Sequence, residues 1–361
     1  MALRFVDVLL IGGGVAAARC ARTFRRAGFA GSILLVGEEP RLPYNRPPLS
    51  KELLRGEVPD ELVLAEPASW YERRAVEVQL GVPVAALVPD ENVAQLADGT
   101  RLRYGQALVA TGASARRLPI EGSLVLRTLA DAHALRAAAG DGVAVTVVGG
   151  GFIGVEASAS LAAAGARVTL VERAAGLWAA GLGAAVSEWA VGILREAGVD
   201  VRLGAADPVP ADVTLVGVGV TPRVELAQAA GLEVDDGVVV DERQATSAPN
   251  VFAAGDVARL RGEARVEHWH AARESGERAA LAMLGEPVPP IRAAWVFSEF
   301  AGHQLDLIGV ADPQAAVEIA TGLHAYVRDG RVVGVALQDG AADVEAVRTL
   351  VERGATPEEL R

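Results

Sequence analysis

The chain has 361 residues, of which 51% are hydrophobic, and a formal net charge of -12. That length supports two or three domains with real cores, and the acidity argues against nucleic acid or an anionic membrane surface as the main partner. A single cysteine, Cys20, excludes a disulfide framework, a CxxC redox motif and an iron–sulfur cluster ligated by this chain alone, and five histidines without metal-ligand spacing give no reason to expect a metal.

The N-terminal MALRFVDVLLIGGG carries an apolar run cut by Asp7 and no cleavage pattern, so it reads as a strand and not as a signal peptide. No run approaches the ~18 uninterrupted apolar residues of a membrane span, so a cytoplasmic protein is expected. Residues 6–38 then read as strand, triple glycine, alanine-rich helix, strand and glutamate: a β-α-β unit with Gly12, Gly14 and Ala17 spelling G-x-G-x-x-A. Cys20 falls within its helix and reads as buried packing.

Next comes RLPYNRPPLSKELL, residues 41–54. Pro43, Pro47 and Pro48 fix their own φ and push the preceding residue toward extended geometry, which predicts a stiff strap over 42–48. Ser50 is the expected N-cap of a short helix that Gly56 stops. Lys51 then falls in the first turn, where the helix dipole disfavours a cation by roughly 0.3–1 kcal/mol. A local rule broken without visible gain marks a place to look for function.

Residues 107–114, ALVATGAS, read as a strand that ends where the chain leaves one domain for another. Residues 145–172 repeat the first unit, with Gly149, Gly151 and Gly154 spelling G-x-G-x-x-G and Glu172 closing the second strand. The first glycine permits the tight turn. The second lets backbone approach a pyrophosphate, and the third small residue lets helix and strand pack closely. Phosphates then sit at the helix N-terminus, and the acid accepts from ribose hydroxyls. Two such motifs imply two dinucleotides that exchange electrons, one a flavin and one a nicotinamide. Glu172 favours NADH over NADPH, because a carboxylate repels a 2′-phosphate; Arg173 beside it softens that preference. Further on, residues 246–258, TSAPNVFAAGDVA, read as a turn, a short strand, and Gly255-Asp256 at a strand end, where the aspartate can accept from a ribityl hydroxyl. The segment 204–212 is only GAADPVPAD. Residues 291–361 offer two strands (LHAYVRDG and RVVGVALQDG) and a closing helix (ADVEAVRTLVERG).

These segments together resemble the two-dinucleotide flavoproteins, and within them the FAD-dependent ferredoxin reductases of cytochrome P450 and ring-hydroxylating dioxygenase systems. The residues that carry the resemblance are IGGGVAA (11–17), PYNRPPLSK (43–51), ATGA (110–113), LRT (126–128), VVGGGFIGVE (147–156), VGVGVTP (216–222), TSAPNVFAAGDV (246–257) and WVFSEF (295–300). The strap is the most selective, since sister families carry redox cysteines in that region and this chain has none at 41–56.

The resemblance implies an α/β fold with two Rossmann-like domains and a small α+β C-terminal domain. The FAD-binding domain would be 1–114 with 240–290, the NAD-binding domain 115–239, and the C-terminal domain 291–361. It implies that the strap delivers Lys51 beside flavin N5, with Glu156 from the other domain as its ion-pair partner. FAD would be held by Gly12, Gly14, Ala16, Glu38, Arg46, Lys51, Val84, Ala110, Thr111, Gly112, Arg127, Asp256, Trp269 and Phe297. NAD would be held by Gly149, Gly151, Ile153, Gly154, Glu156, Glu172, Arg173 and Gly219. The implied activity passes hydride from NADH to the flavin, then single electrons to a [2Fe-2S] ferredoxin, by a monomer or homodimer without nucleic-acid or membrane partners. Alternatives are another acceptor (rubredoxin, a quinone or monodehydroascorbate) or a flavin redox sensor of the apoptosis-inducing-factor type. Docking an acidic ferredoxin needs a basic patch, for which Arg73, Arg74, Arg116, Arg117 and Arg292 are candidates. Three departures stand out: the short 204–212 segment, the short C-terminal segment, and Asn45 where the strap more usually has glutamine or glutamate.

Overall fold

The computed structural model describes residues 3–178 and 181–361. Cα proximity divides the chain into two compact units. One holds the chain up to Asn45 together with Glu61–Ser114 and Thr221–Ile291; the other holds Arg46–Asp60, Ala115–Val220 and Arg292–Arg361.

The first unit is built on parallel strands. Arg4–Ile11 lies between Ile33–Gly37 and Arg101–Val109, with Val76–Leu80 outside Ile33–Gly37 and Val251–Ala253 beside Arg101–Val109. Val93–Leu96 and Val84–Val88 extend the sheet antiparallel. The central strands are apolar without alternation because both faces are covered. Val6, Leu9 and Ile11 enter one core cluster, while Val8 and Leu10 enter another with helices Val15–Arg26 and Trp269–Met283. Those two helices approach closely: a Cβ on Gly276 would lie 2.3 Å from the Ala16 carbonyl oxygen. Cys20 is fully buried in this layer, and burial pushes its thiol well up, so it is inert packing.

The second unit holds a parallel sheet in the order Asp200–Leu203, Arg167–Glu172, Ala144–Val148, Val213–Val216. It also holds a five-stranded antiparallel sheet with Trp295–Phe300 at one edge and Ala316–Ala320 at the other. The expected C-terminal strands are Leu323–Arg328 and Arg331–Gln338. The closing helix is Val344–Glu352, which buries Val347 and Val351 against that sheet. The short segment 204–212 joins two strands of the parallel sheet directly.

The second segment of the first unit ends at Ser114. Residues 221–239 group with the first unit, where Ala227, Leu232 and Val238 enter its core. Residues 292–361 group with the second unit and carry its five-stranded sheet and closing helix, the expected C-terminal sheet domain. Residues 46–60 leave the first unit because their short helix packs on helices Leu129–Ala138 and Phe152–Ala163. Lys51 and Glu156 therefore lie in one unit, not in two.

Candidate functional site

In the first unit the turn after Arg4–Ile11 needs Gly12, which has φ +129°. A Cβ there would stand 2.1 Å from the Ala110 carbonyl oxygen, because the end of the neighbouring strand is held to Ile11 by the Ala110 N–H (2.8 Å). Gly14 is the N-cap of Val15–Arg26, contributes no side-chain cap, and would place a Cβ in open space. The first N–H groups of that helix, Ala16 included, thus face an open cradle suited to an anion. Glu38 follows the second strand, half exposed, and pairs with Arg223. Around the neighbouring strand end the Thr111 hydroxyl donates to the Arg223 carbonyl (2.7 Å), the Arg223 N–H donates to the Gly112 carbonyl (2.9 Å), and Gly112 takes φ +70°.

Asp256 follows Gly255, whose N–H donates to Ser275 Oγ (3.0 Å) in helix Trp269–Met283. Asp256 also acts electrostatically on His268, the N-cap of that helix. Withdrawal from water nonetheless pushes the His268 imidazole down to about 4, so it is neutral at physiological pH. Trp269 donates its indole N–H to Asn45 Oδ1 (2.8 Å), and Arg273 stacks over its ring at 4.4 Å. Asn45 donates in turn to the Val63 and Leu64 carbonyls, which accounts for the asparagine in the strap: its amide serves both partners. Val84 is partly exposed at the start of its strand.

The second unit repeats the loop. Gly149 has φ +108° and would place a Cβ 2.5 Å from the Gly217 carbonyl oxygen. Gly151, N-cap of Phe152–Ala163, has nothing near its Cβ position but the Gly217 oxygen at 4.0 Å, and no side chain caps this helix either. Gly154 is obligatory, since a Cβ would fall 1.8 Å from the Gly149 oxygen. Ile153 is 38% exposed beside this opening. Glu172 accepts from the Gly150 N–H (2.7 Å) and the Ala174 N–H (2.8 Å), which ties the glycine loop to the strand end. Arg173 is exposed, and Gly219 takes φ +96° in an open loop.

The strap departs from its expected shape. Arg46 is in the right-handed helical region, and Pro47–Ser50 forms a 3-10 turn, so the extended part ends at Asn45. Pro47 occupies the first helical position, where its fixed φ and missing N–H suit a helix start, and this outweighs the bias on the residue before it. Ser50 does not cap the next helix; Lys51 occupies that position, with φ -123° and ψ -115°, and Gly56 ends the helix left-handed as expected. The Ser50 hydroxyl instead donates to Glu156 Oε2.

The Lys51 ammonium is buried and sits 2.8 Å from the same Glu156 oxygen, 3.3 Å from the Pro47 carbonyl oxygen and 5.6 Å from the centroid of the Phe297 ring. Glu156 Oε1 accepts from Ser298 Oγ at 2.7 Å. Arg46 donates to the Arg127 carbonyl, just before the Thr128–Asp131 capping box that opens helix Leu129–Ala138. The residues expected around FAD thus fall in two groups. Arg46, Lys51, Arg127 and Phe297 belong to the second unit and the rest to the first.

The pyridine nucleotide-disulphide oxidoreductase family matches residues 6–276. The chain is 38% identical over 332 residues to the biphenyl dioxygenase system ferredoxin–NAD(+) reductase component of Paraburkholderia xenovorans (strain LB400), covering 84% of this chain and 81% of that protein. The chain belongs to this family. It is an oxidoreductase of the ferredoxin reductase type. Among solved structures, the reductase in the covalent putidaredoxin reductase–putidaredoxin complex superposes with a TM-score of 0.92 at 28% identity, covering 98% of this chain and 95% of that one. The ferredoxin reductase for the CYP199A2 system of Rhodopseudomonas palustris gives 0.90 at 29%, covering 98% and 96%.

Dinucleotide pyrophosphates fit both loops of this oxidoreductase, because each offers an uncapped helix N-terminus over a glycine whose Cβ position is open. Sequence reasoning passed over Ser50 and Ser298 as partners of Glu156. It also missed an aromatic cluster of Phe152, Trp178, Trp189 and Phe300 beneath the second loop. One signal was legible and unused: Lys51 is the only lysine in the chain. Of the candidate docking arginines, Arg292 is engaged by Glu345 and Glu352 of the closing helix.

Proposed function

We propose that this enzyme is a FAD-dependent NADH:ferredoxin oxidoreductase whose electrons serve a P450 or Rieske-type oxygenase through a [2Fe-2S] protein. The observation that carries the reading is the occurrence of two open glycine cradles in one chain together with a buried Lys51–Glu156 pair. Bound FAD would accept hydride from the nicotinamide and pass its electrons on singly. The first-loop backbone at Gly12, Gly14 and Ala16 is assigned to the FAD pyrophosphate, with Ala110, Thr111 and Gly112 beside it. Glu38 is assigned to the adenosine ribose, Val84 to adenine and Asp256 to the ribityl chain; Trp269, Arg46, Arg127 and Phe297 are further FAD residues. The second-loop backbone at Gly149, Gly151 and Gly154 is assigned to the nicotinamide dinucleotide, with Ile153, Glu172, Arg173 and Gly219. Glu172 accepts from the loop and keeps a negative charge there, which selects the 2′-hydroxyl of NADH over a 2′-phosphate. Lys51 supplies a fixed positive charge against the negative charge that reduction develops, and Glu156 holds it.

Anaerobic titration of the purified yellow protein with NADH tests the reading. Prompt bleaching at a single equivalent is the expected result. A flavin that stays oxidised would remove the reductase assignment. Turnover with a ferredoxin should exceed that with rubredoxin or a quinone, and should fall steeply with added salt if docking is electrostatic.

A further inference from the structure

Lys51 is the one lysine among 34 Lys and Arg residues, so a compact ammonium is used here and guanidinium everywhere else. Its surroundings explain the choice. The tetrahedral head has three N–H donors and meets three acceptors: Glu156 Oε2, the Pro47 carbonyl and the face of Phe297. A planar guanidinium does not match that arrangement. A buried ion pair offsets its desolvation only if its geometry is held. Glu156 is held by two hydroxyls, and among the described residues no other donor besides Lys51 reaches it.

The two hydroxyls differ. Ser50 adjoins Lys51, so any movement of the strap carries both. Ser298 is an independent anchor, fully buried, on the edge strand Trp295–Phe300 of the C-terminal sheet, where it pairs opposite Leu305. The preceding residue of that strand, Phe297, lies against the ammonium. Consecutive strand residues point to opposite faces, yet Ser298 meets the carboxylate and Phe297 the ammonium. One strand therefore grips both members of the pair.

We propose that Ser298 is a positioning residue: its hydroxyl fixes the Glu156 carboxylate, and through it the C-terminal sheet sets the Lys51 ammonium that the reductase reading uses. The functional half of this claim rests on that reading; the positional half does not.

The single lysine makes the test clean. The flavin-loaded protein is treated with an N-hydroxysuccinimide acetate ester, and acetylation of Lys51 is followed by peptide mass spectrometry against the N-terminal amine. Ser298→Ala should acetylate Lys51 about tenfold faster than wild type, the factor expected for losing a hydrogen bond to a charged group. Ser298→Thr, which keeps the hydroxyl, should return toward the wild-type rate. Equal rates in wild type and Ser298→Ala would overturn the positional claim. In anaerobic stopped-flow, Ser298→Ala should lower the limiting rate of reduction by NADH about tenfold while leaving the NADH concentration dependence unchanged. An unchanged limiting rate would overturn the functional half. If wild type itself is not reduced by NADH, the reductase reading fails, and the acetylation series still decides whether Ser298 positions the pair.

Discussion

The two glycine loops share a chain pattern and differ in what they tolerate. In the first, the third small position is Ala17, fully buried yet accommodated; in the second it is Gly154, where a Cβ would overlap the Gly149 oxygen. The first-loop helix is amphipathic and buries an apolar stripe. The second-loop helix is buried continuously from Gly154 to Leu161 and carries Glu156 inside that run. The acids differ too: Glu38 reaches a half-exposed arginine, while Glu172 folds back on its own loop. One motif has thus been used once beside a half-exposed acid and once with a charge built into its packing.

Substitution at the third position should break this comparison most strongly. Gly154→Ala places a methyl group against backbone that cannot give way, and about 5 kcal/mol of destabilisation is expected, or roughly 10–20 °C in melting temperature. NADH should then no longer bleach the flavin. Ala17→Gly should cost only about 0.5–1 kcal/mol and leave FAD bound. Thermal unfolding of both variants, followed by flavin fluorescence and circular dichroism, is the measurement; a Gly154→Ala protein that melts like wild type removes the steric argument.

The two acids give the next contrast. Glu156→Gln leaves the Lys51 ammonium buried against a neutral amide, for a loss of about 3–4 kcal/mol. Adding Lys51→Met should recover most of that stability and none of the NADH reactivity. Glu38→Gln removes a half-exposed pair and should cost less than about 1 kcal/mol. Urea unfolding of the four proteins checks this, and a double variant as unstable as Glu156→Gln would count against a buried unpaired charge as the cause.

What the sequence made legible follows from how local each signal is. The loops were readable because turn, helix start and acid lie within one β-α-β unit. The Lys51–Glu156 pair was readable only through the selective strap, and its placement in one unit was not: the packing of 46–60 is a tertiary fact. The 3-10 turn at Pro47–Ser50 was missed because two proline rules compete at Arg46 and only context decides. Ser298 was passed over because a serine in a strand has no distinctive pattern until its burial is known.

A smaller effect separates the units by pH. His268 belongs to the first unit, and its imidazole is pushed down to about 4 from an ordinary value near 6.5. The unfolded chain therefore binds more protons between those values, and folding stability falls as pH drops through that window. The contribution is complete above pH ~6.5, and its loss across the window amounts to about 3 kcal/mol. His268→Gln should flatten that part of the stability curve. Unfolding midpoints from pH 7.5 to 4.5 should fall more for wild type than for the variant; parallel curves would mean His268 is not the group responsible.

The smallest expected effect lies at Glu172 and sharpens the comparison of the acids. Its carboxylate does two things at once, accepting from Gly150 and Ala174 and holding a negative charge at the strand end. Glu172→Gln keeps an acceptor oxygen for the loop and removes the charge, so the structural and selective contributions separate. The ratio of kcat/KM for NADPH to that for NADH should rise about tenfold, equivalent to ~1.4 kcal/mol, with Arg173 then free of its neighbouring anion. The equivalent change at Glu38 should leave that ratio untouched, because the first loop is assigned to FAD. If Glu172→Gln weakens both nucleotides equally, the carboxylate serves the loop's shape and not the choice of cofactor. The second loop would then owe its preference to something other than charge.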